Sequence, residues 1–282
     1  MPPDQSPSNL AALGAFHREV AQLDKIYASD TRGDTFRGII VGAQGSGKTS
    51  LAATSPALVH IDSFDPGGTL VLEDEIKAGR VKADTRFEVD SLDNPVAFNA
   101  FDASLKRRID TGYFNYINTY FLDSLTTLGV AALNLVINER IKKGKHLSET
   151  PQKDDWMPQM TKIKKVIQKV ASLPCNVIIT AHLQMKEDKV TEQFHNQLLV
   201  TGNLQQLIPI LFGEVYVIVT KDSPEGTKRA LLTQPWGEFS KIAKTRLGRK
   251  GKLEQFEPPN IASLLKKAGK PYEDRIPVKE GE

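Results

Sequence analysis

Apolar residues recur along this chain with two periods, and the switch between them outlines its elements. Leu10, Leu13, Phe16, Val20, Leu23 and Ile26 fall three or four apart, which predicts an amphipathic helix near the start. From Arg37 onward, short continuous apolar runs at 38–41, 58–61, 117–122 and 176–180 alternate with helical stretches. Helices are expected near 94–109, 125–141 and 157–172. This alternation predicts an α/β fold, with a mostly parallel twisted sheet and helices on both faces. Beyond residue 200 the pattern changes. Segments 215–219 and 229–233 flank the turn Ser223-Pro224-Glu225-Gly226 and read as a C-terminal antiparallel hairpin added to the sheet.

The expected organisation has three parts. Residues 1–34 comprise a Pro/Ser-rich tip, disordered over 1–8, and the first helix, which either packs on its own domain or docks on a neighbouring subunit. Residues 35–268 form the core. Residues 269–282 form a polar tail, loose from Pro271 onward. No internal repeat is present.

Composition narrows the class without naming a chemistry. The chain has 282 residues, long enough for one large α/β domain with extensions. Its 40% hydrophobic and 25% charged content is ordinary for a soluble globular protein. A net charge of only +3 means that a nucleic-acid partner must be argued from local patches. The lone cysteine, Cys175, excludes an internal disulfide and a cysteine-based zinc site, and reads as a small buried residue in a reducing compartment. No apolar run reaches transmembrane length, and Met1-Pro2-Pro3-Asp4 lacks a signal pattern. The expectation is an intracellular, cytoplasmic protein with no membrane partner.

Chemistry enters at residues 42–49, Gly42-Ala43-Gln44-Gly45-Ser46-Gly47-Lys48-Thr49, a complete G-x-x-x-x-G-K-[ST] phosphate-binding loop. A strand-type run precedes it, and Ser50-Leu51-Ala52-Ala53 can start a helix whose N-terminus attracts phosphate. Lys48 would reach the β- and γ-phosphates, and Thr49 would help hold Mg²⁺. The loop therefore predicts a bound nucleoside triphosphate, ATP with Mg²⁺. Hydrolysis needs more: a carboxylate for the metal, a base, a sensor and positive charge at the γ-phosphate. Tyr120-Phe121-Leu122-Asp123 is an apolar strand ending in a carboxylate, the Walker B pattern. Asp123 would orient a metal-bound water there, or else cap the following helix. Ile178-Ile179-Thr180-Ala181-His182 is a third such strand, whose His182 would meet the γ-phosphate or the attacking water. For the base, His60-Ile61-Asp62-Ser63-Phe64-Asp65 offers Asp65 or Asp62, with Asp65 slightly favoured.

These residues together resemble the RecA-like P-loop ATPases, most closely the compact phage-encoded branch. That branch includes the Sak-type single-strand annealing proteins, often labelled phage nucleotide-binding or AAA-type proteins. The resemblance spans roughly 35–268 and rests on the loop at 42–49, on H-I-D-S-F-D-P-G-G at 60–68, Y-F-L-D-S-L at 120–125, D-D-W at 154–156, I-I-T-A-H at 178–182 and K-T-R-L-G at 244–248. It implies a Walker B role for Asp123 and a γ-phosphate sensor role for His182. Lys244 and Arg246 match the K-x-R pattern that KaiC- and DnaB-type ATPases insert into a neighbouring subunit's site, where they act in trans as an arginine finger does. The chain departs from the family where a Glu usually follows the second strand: Phe64 holds the nearest register.

The resemblance implies an ATPase that acts on single-stranded DNA in phage recombination, annealing or replication. It would self-assemble into a filament or ring in the host cytoplasm, and a single-strand DNA-binding protein is a further partner of such a role. The alternatives are a regulatory or assembly ATPase with a protein partner, and a hexameric helicase-like motor. Two basic clusters bear on DNA: Lys241, Lys244, Arg246, Arg249, Lys250 and Lys252, and then Arg140, Lys142, Lys143 and Lys145. Trp156 could stack a base or belong to the core. Residues 184–202 read as a long polar connection after His182, which resemblance makes a mobile DNA-contacting loop. It offers Lys186, Lys189, Phe194 and His195, offset by Glu187, Asp188 and Glu192.

Overall fold

The computed structural model describes residues 7–28, 33–188, 192–224, 226–248 and 251–274. Residues 1–6 of the expected tip, Lys189, Glu225, Arg249, Lys250 and the tail from 275 lie outside them. The chain divides into two units, residues 1–35 and 36–282.

The first unit holds helix α1, Pro7–Ala28. It starts within the stretch expected to be disordered. Leu13, Phe16, Leu23 and Ile26 of its apolar set are all exposed.

In the second unit, the apolar runs become β1 (Arg37–Gly42), β2 (Val59–Ser63), β4 (Thr119–Asp123) and the first part of β5 (Asn176–Asp188). A short parallel edge strand that the pattern did not signal, β3 (Val81–Asp84), follows helix α2 (Glu73–Lys77). The strand order is β3-β2-β4-β5-β1-β7-β8-β9, with β6 (Gln193–Leu198) paired off this path to β5. The path is parallel from β3 to β7 (Glu214–Ser223). It turns antiparallel at the expected hairpin with β8 (Gly226–Leu232) and at β9 (Phe256–Glu257).

Continuous apolar strands bury both faces, as a parallel sheet requires. Ile39, Val41, Leu122 and Ile179 face α3 (Ala97–Asp110), α4 (Leu125–Lys142), α5 (Trp156–Ala171) and α6 (Leu204–Ile210). Ile40, Ile61, Phe121 and Ile178 face the other way, onto Leu51, Leu72 and helix α7 (Ile261–Ala268). The α/β architecture is therefore the one expected. Cys175 is buried, and its thiol is pushed up to about 12 by that burial, an inert core group.

The segment after the phosphate loop forms a short helix, as expected there, of 3₁₀ type over Thr49–Thr54 and ended by Ser55. Two expectations are corrected. Residues 184–202 are not one polar connection. Strand β5 runs on through Asp188 and pairs antiparallel with β6, from Leu183↔Leu198 to Asp188↔Gln193. The tail is docked through residue 274: Asp274 accepts from the Ala57 amide and pairs with Arg80, and the Glu273 carbonyl accepts from Asn118.

Candidate nucleotide site

The parallel strands all end on one side, and their registers bring the motifs there. Gly42 lies opposite His182, and Ser63 opposite Asp123. The crevice at these strand ends is where open α/β sheets hold ligands. It contains a cavity of about 970 Å³ lined by residues 44–51, Asp65, Thr127, His182 and Arg229, among others.

The loop's conformation depends on its glycines. Gly47 adopts φ +98°, a region L side chains rarely enter, and a Cβ on Gly42 would lie 2.6 Å from Ser46 Oγ. Lys48 is almost fully buried, and its ammonium donates to the Gly42 and Ala43 carbonyls at 3.1 and 2.9 Å. Burial lowers its pKa, opposed by the charges of Asp123 and Asp65. Among the described residues, the buried Ser46 Oγ has no hydrogen-bond partner. The result is a polar cradle suited to an anion.

Asp123 lies beneath the loop, fully buried. Thr49 Oγ1 donates to one carboxylate oxygen at 2.7 Å, and the Thr180 hydroxyl donates to the other. Burial raises the Asp123 pKa. The two hydroxyl donors and Lys48 oppose this, and the Asp65 charge adds to it. Asp123 is not the cap of α4. Ser124 is, in a reciprocal capping box with Thr127.

Asp65 faces the cavity. Ser124 Oγ and Thr127 Oγ1 donate to its Oδ1 at 2.9 and 2.6 Å, and His182 Nε2 lies 3.4 Å from Oδ2. Burial pushes this carboxyl up. The hydrogen bonds from His182, Thr127 and Ser124, with the His182 charge, outweigh it and hold the pKa below the ordinary value. Phe64, in the register where the family pattern has Glu, is buried against Phe87 and Phe101 with ring centroids 5.3 and 5.2 Å apart. One residue on, Asp65 turns back to the crevice. His182 is anchored through its amide, which donates to Thr126 Oγ1 at 3.0 Å.

Asp62 is not in the site. Its fully buried carboxylate is taken by His60 Nε2, Arg108 Nη1 and the Tyr120 hydroxyl at 2.9, 2.8 and 2.7 Å. It is one end of an internal ion-pair network that continues to Asp84.

Lys244 and Arg246 are also elsewhere. Glu214, the first residue of β7, is level with Gly38 at the start of β1, the end of the sheet opposite the loop. Its buried carboxylate accepts from Thr245 Oγ1 and from the Arg246 and Leu247 amides, which ties the 244–248 turn to that end. Lys244 Nζ donates to the Pro209 and Phe212 carbonyls, both at 2.9 Å, and so caps α6. That engagement corrects the expectation of a free finger at Lys244. Arg246 is exposed.

The other basic cluster is similarly structural in part. Arg140 pairs with Asp155 and bonds the His146, Ser148 and Thr150 carbonyls. Neighbouring Trp156 is half-buried.

The sequence reading missed four contributors. Ser124 and Thr127 had a signal, the S-x-x-T spacing at a strand-to-helix junction. Thr180 lay within the quoted strand but was assigned no role. Arg229 had no local signal, because only the sheet order brings β8 beside the loop.

Residues 34–247 match a protein family described as AAA domain. Solved structures of similar shape include a KaiC-like protein from Pyrococcus horikoshii, at 13% identity and TM-score 0.38, with 76% of this chain and 80% of that one covered. The flagellar accessory protein FlaH from Methanocaldococcus jannaschii is similar at 13% identity and TM-score 0.33, covering 76% and 79%. No curated protein matches the chain.

Proposed function

The chain belongs to the AAA domain family, and from that premise we propose that it binds ATP with Mg²⁺ and hydrolyses it, with Asp65 as the base. The observation that carries this reading is the convergence of the loop, Asp123, Asp65 and His182 at one crevice. The loop fits a triphosphate: among the described residues its buried Ser46 hydroxyl has no partner, and the Lys48 ammonium rests on loop carbonyls that a phosphate would replace. The Thr49 hydroxyl and Asp123 fit Mg²⁺, a cation that takes few protein ligands and completes its shell with phosphate and water. When bound, the ion would neutralise charge on the phosphates.

The protein's own residues supply the rest. Ser124 and Thr127 hold the Asp65 carboxylate ionised and aimed into the cavity, where it polarises a water. His182 contacts the same carboxylate, and strand β5 continues from it into the β5–β6 hairpin, a direct mechanical link between the site and a surface arm. Lys48→Ala tests the reading at its root: ATP binding should be abolished, as measured by calorimetry. Unchanged affinity would refute it.

Single-stranded DNA is one partner reading for the arm, and Lys186 is the cation it would use. Lys186 lies opposite His195, and Gln184 opposite Gln197, beside a polar cavity of about 590 Å³. The exposed Phe194 pairs with Glu187 on the other face, so base stacking and charge are not combined on one surface. A regulatory or assembly ATPase with a protein partner would use that second face, or the exposed apolar residues of α1. Stimulation of ATP turnover by single-stranded DNA separates the two: DNA stimulation supports the first, and its absence favours the second.

A further inference from the structure

Strand β1 ends at Gly42, but both of its neighbours run on. β5 continues past His182 into its hairpin with β6. β7 continues past Val217, the last residue paired with β1, as far as Ser223, with β8 returning beside it. The phosphate loop therefore lies between two overhanging arms. Arg229 stands on the inner part of the β7–β8 arm, opposite Thr220. Its Nε donates to the Ser46 carbonyl at 3.1 Å, and its Cδ and Nε would each lie 3.5 Å from a Gly47 Cβ, in van der Waals contact. Arg229 lines the cavity, and among the described residues its two terminal nitrogens have no hydrogen-bond partner.

We infer that Arg229 is a nucleotide-binding residue of its own chain, which anchors the phosphate loop through Ser46 and presents its terminal guanidinium nitrogens to the triphosphate. The inference rests on the nucleotide reading above and adds a residue that neither the motifs nor the family pattern contains. A planar guanidinium suits both tasks. One edge holds a carbonyl while the remaining N–H groups face an anion, a division of labour that a lysine ammonium cannot reproduce in the same geometry. The position also answers a need left by Lys244 and Arg246, which lie at the other end of the sheet in this chain. A cation supplied in cis keeps the affinity of the site independent of any neighbouring subunit.

The test is binding of ATP and of ADP, each with Mg²⁺, to the full chain carrying Arg229→Gln or Arg229→Lys, with the melting temperature of each nucleotide-free variant measured alongside. R229Q should weaken ATP binding by at least about tenfold, the scale of a lost charge-assisted hydrogen bond. It should leave the nucleotide-free melting temperature near wild type, and R229K should recover part of the affinity. Mixing R229Q with a Lys48→Ala chain that keeps Arg229 should not restore the lost binding. Affinity within twofold of wild type overturns the inference. So does an equal loss in both variants with a lowered nucleotide-free melting temperature, which would make Arg229 a strut of the loop. Rescue on mixing overturns the cis assignment. A wild-type chain that binds no ATP overturns the nucleotide reading itself, a result distinct from all of these.

Discussion

Asp65 and Asp123 share one crevice and shift in opposite directions, which gives pH a different sign at each. Asp65 is held below its ordinary pKa by hydroxyl and imidazole donors. Its contribution to stability is therefore complete above the unfolded value of about 4 and is lost only as pH falls through the lower folded value. Asp123 is raised by burial, so the folded protein holds its proton more tightly than the unfolded chain does. The nucleotide-free protein should then gain stability as pH falls through that raised pKa, with the gain complete below the unfolded value. Asp123→Asn should stabilise the nucleotide-free protein at pH 7 by about 1 kcal/mol, by removing a buried charge. For a chain of this size that is a rise of about 2–4 °C in melting temperature. The same change should abolish Mg²⁺-dependent turnover. A lower melting temperature for the variant at pH 7 would show that the two hydroxyl donors outweigh desolvation.

At the scale of elements, the strand ends carried most of what was legible. The apolar runs ending at Gly42, Asp123 and His182 located three sides of the crevice, because a parallel sheet places all its C-termini together. Asp65 was legible only as a choice. The side chain that separates it from Asp62 is Phe64, whose burial sends the two carboxylates into different environments. The K-T-R-L-G segment was read as a finger, since its charges are visible in sequence. Its anchor, Glu214, lies about thirty residues upstream and is joined to it only by the sheet. The segment 184–202 reads as a polar loop in sequence because its two-stranded arm is built mostly of polar residues and lacks the apolar run that marks a core strand. The capping role makes its own prediction. Lys244→Met should destabilise the protein by about 1–3 kcal/mol, through loss of two hydrogen bonds from a charged group at the end of α6, with turnover per folded molecule unchanged. Lost turnover with an unmoved melting temperature would restore Lys244 to a role at a neighbour's site.

Across the whole core, the cavity and Arg246 occupy opposite ends of the sheet. A head-to-tail arrangement is the geometry that would bring Arg246 of one chain to the cavity of the next, and we propose it for the assembled protein. Specific activity should then rise with protein concentration. Arg246→Ala should lose turnover and regain part of it when mixed with Lys48→Ala, which keeps the arginine. Activity independent of concentration, with no rescue on mixing, would confine the chemistry to single chains. In either arrangement the proposed hydrolysis depends on the Asp65 carboxylate, and Asp65→Asn at saturating ATP and Mg²⁺ is the decisive variant. Phosphate release by the wild-type chain should fall by at least about 100-fold in the variant, with ATP affinity retained, as loss of a general base requires. Phosphate release by the variant at the wild-type rate would contradict it.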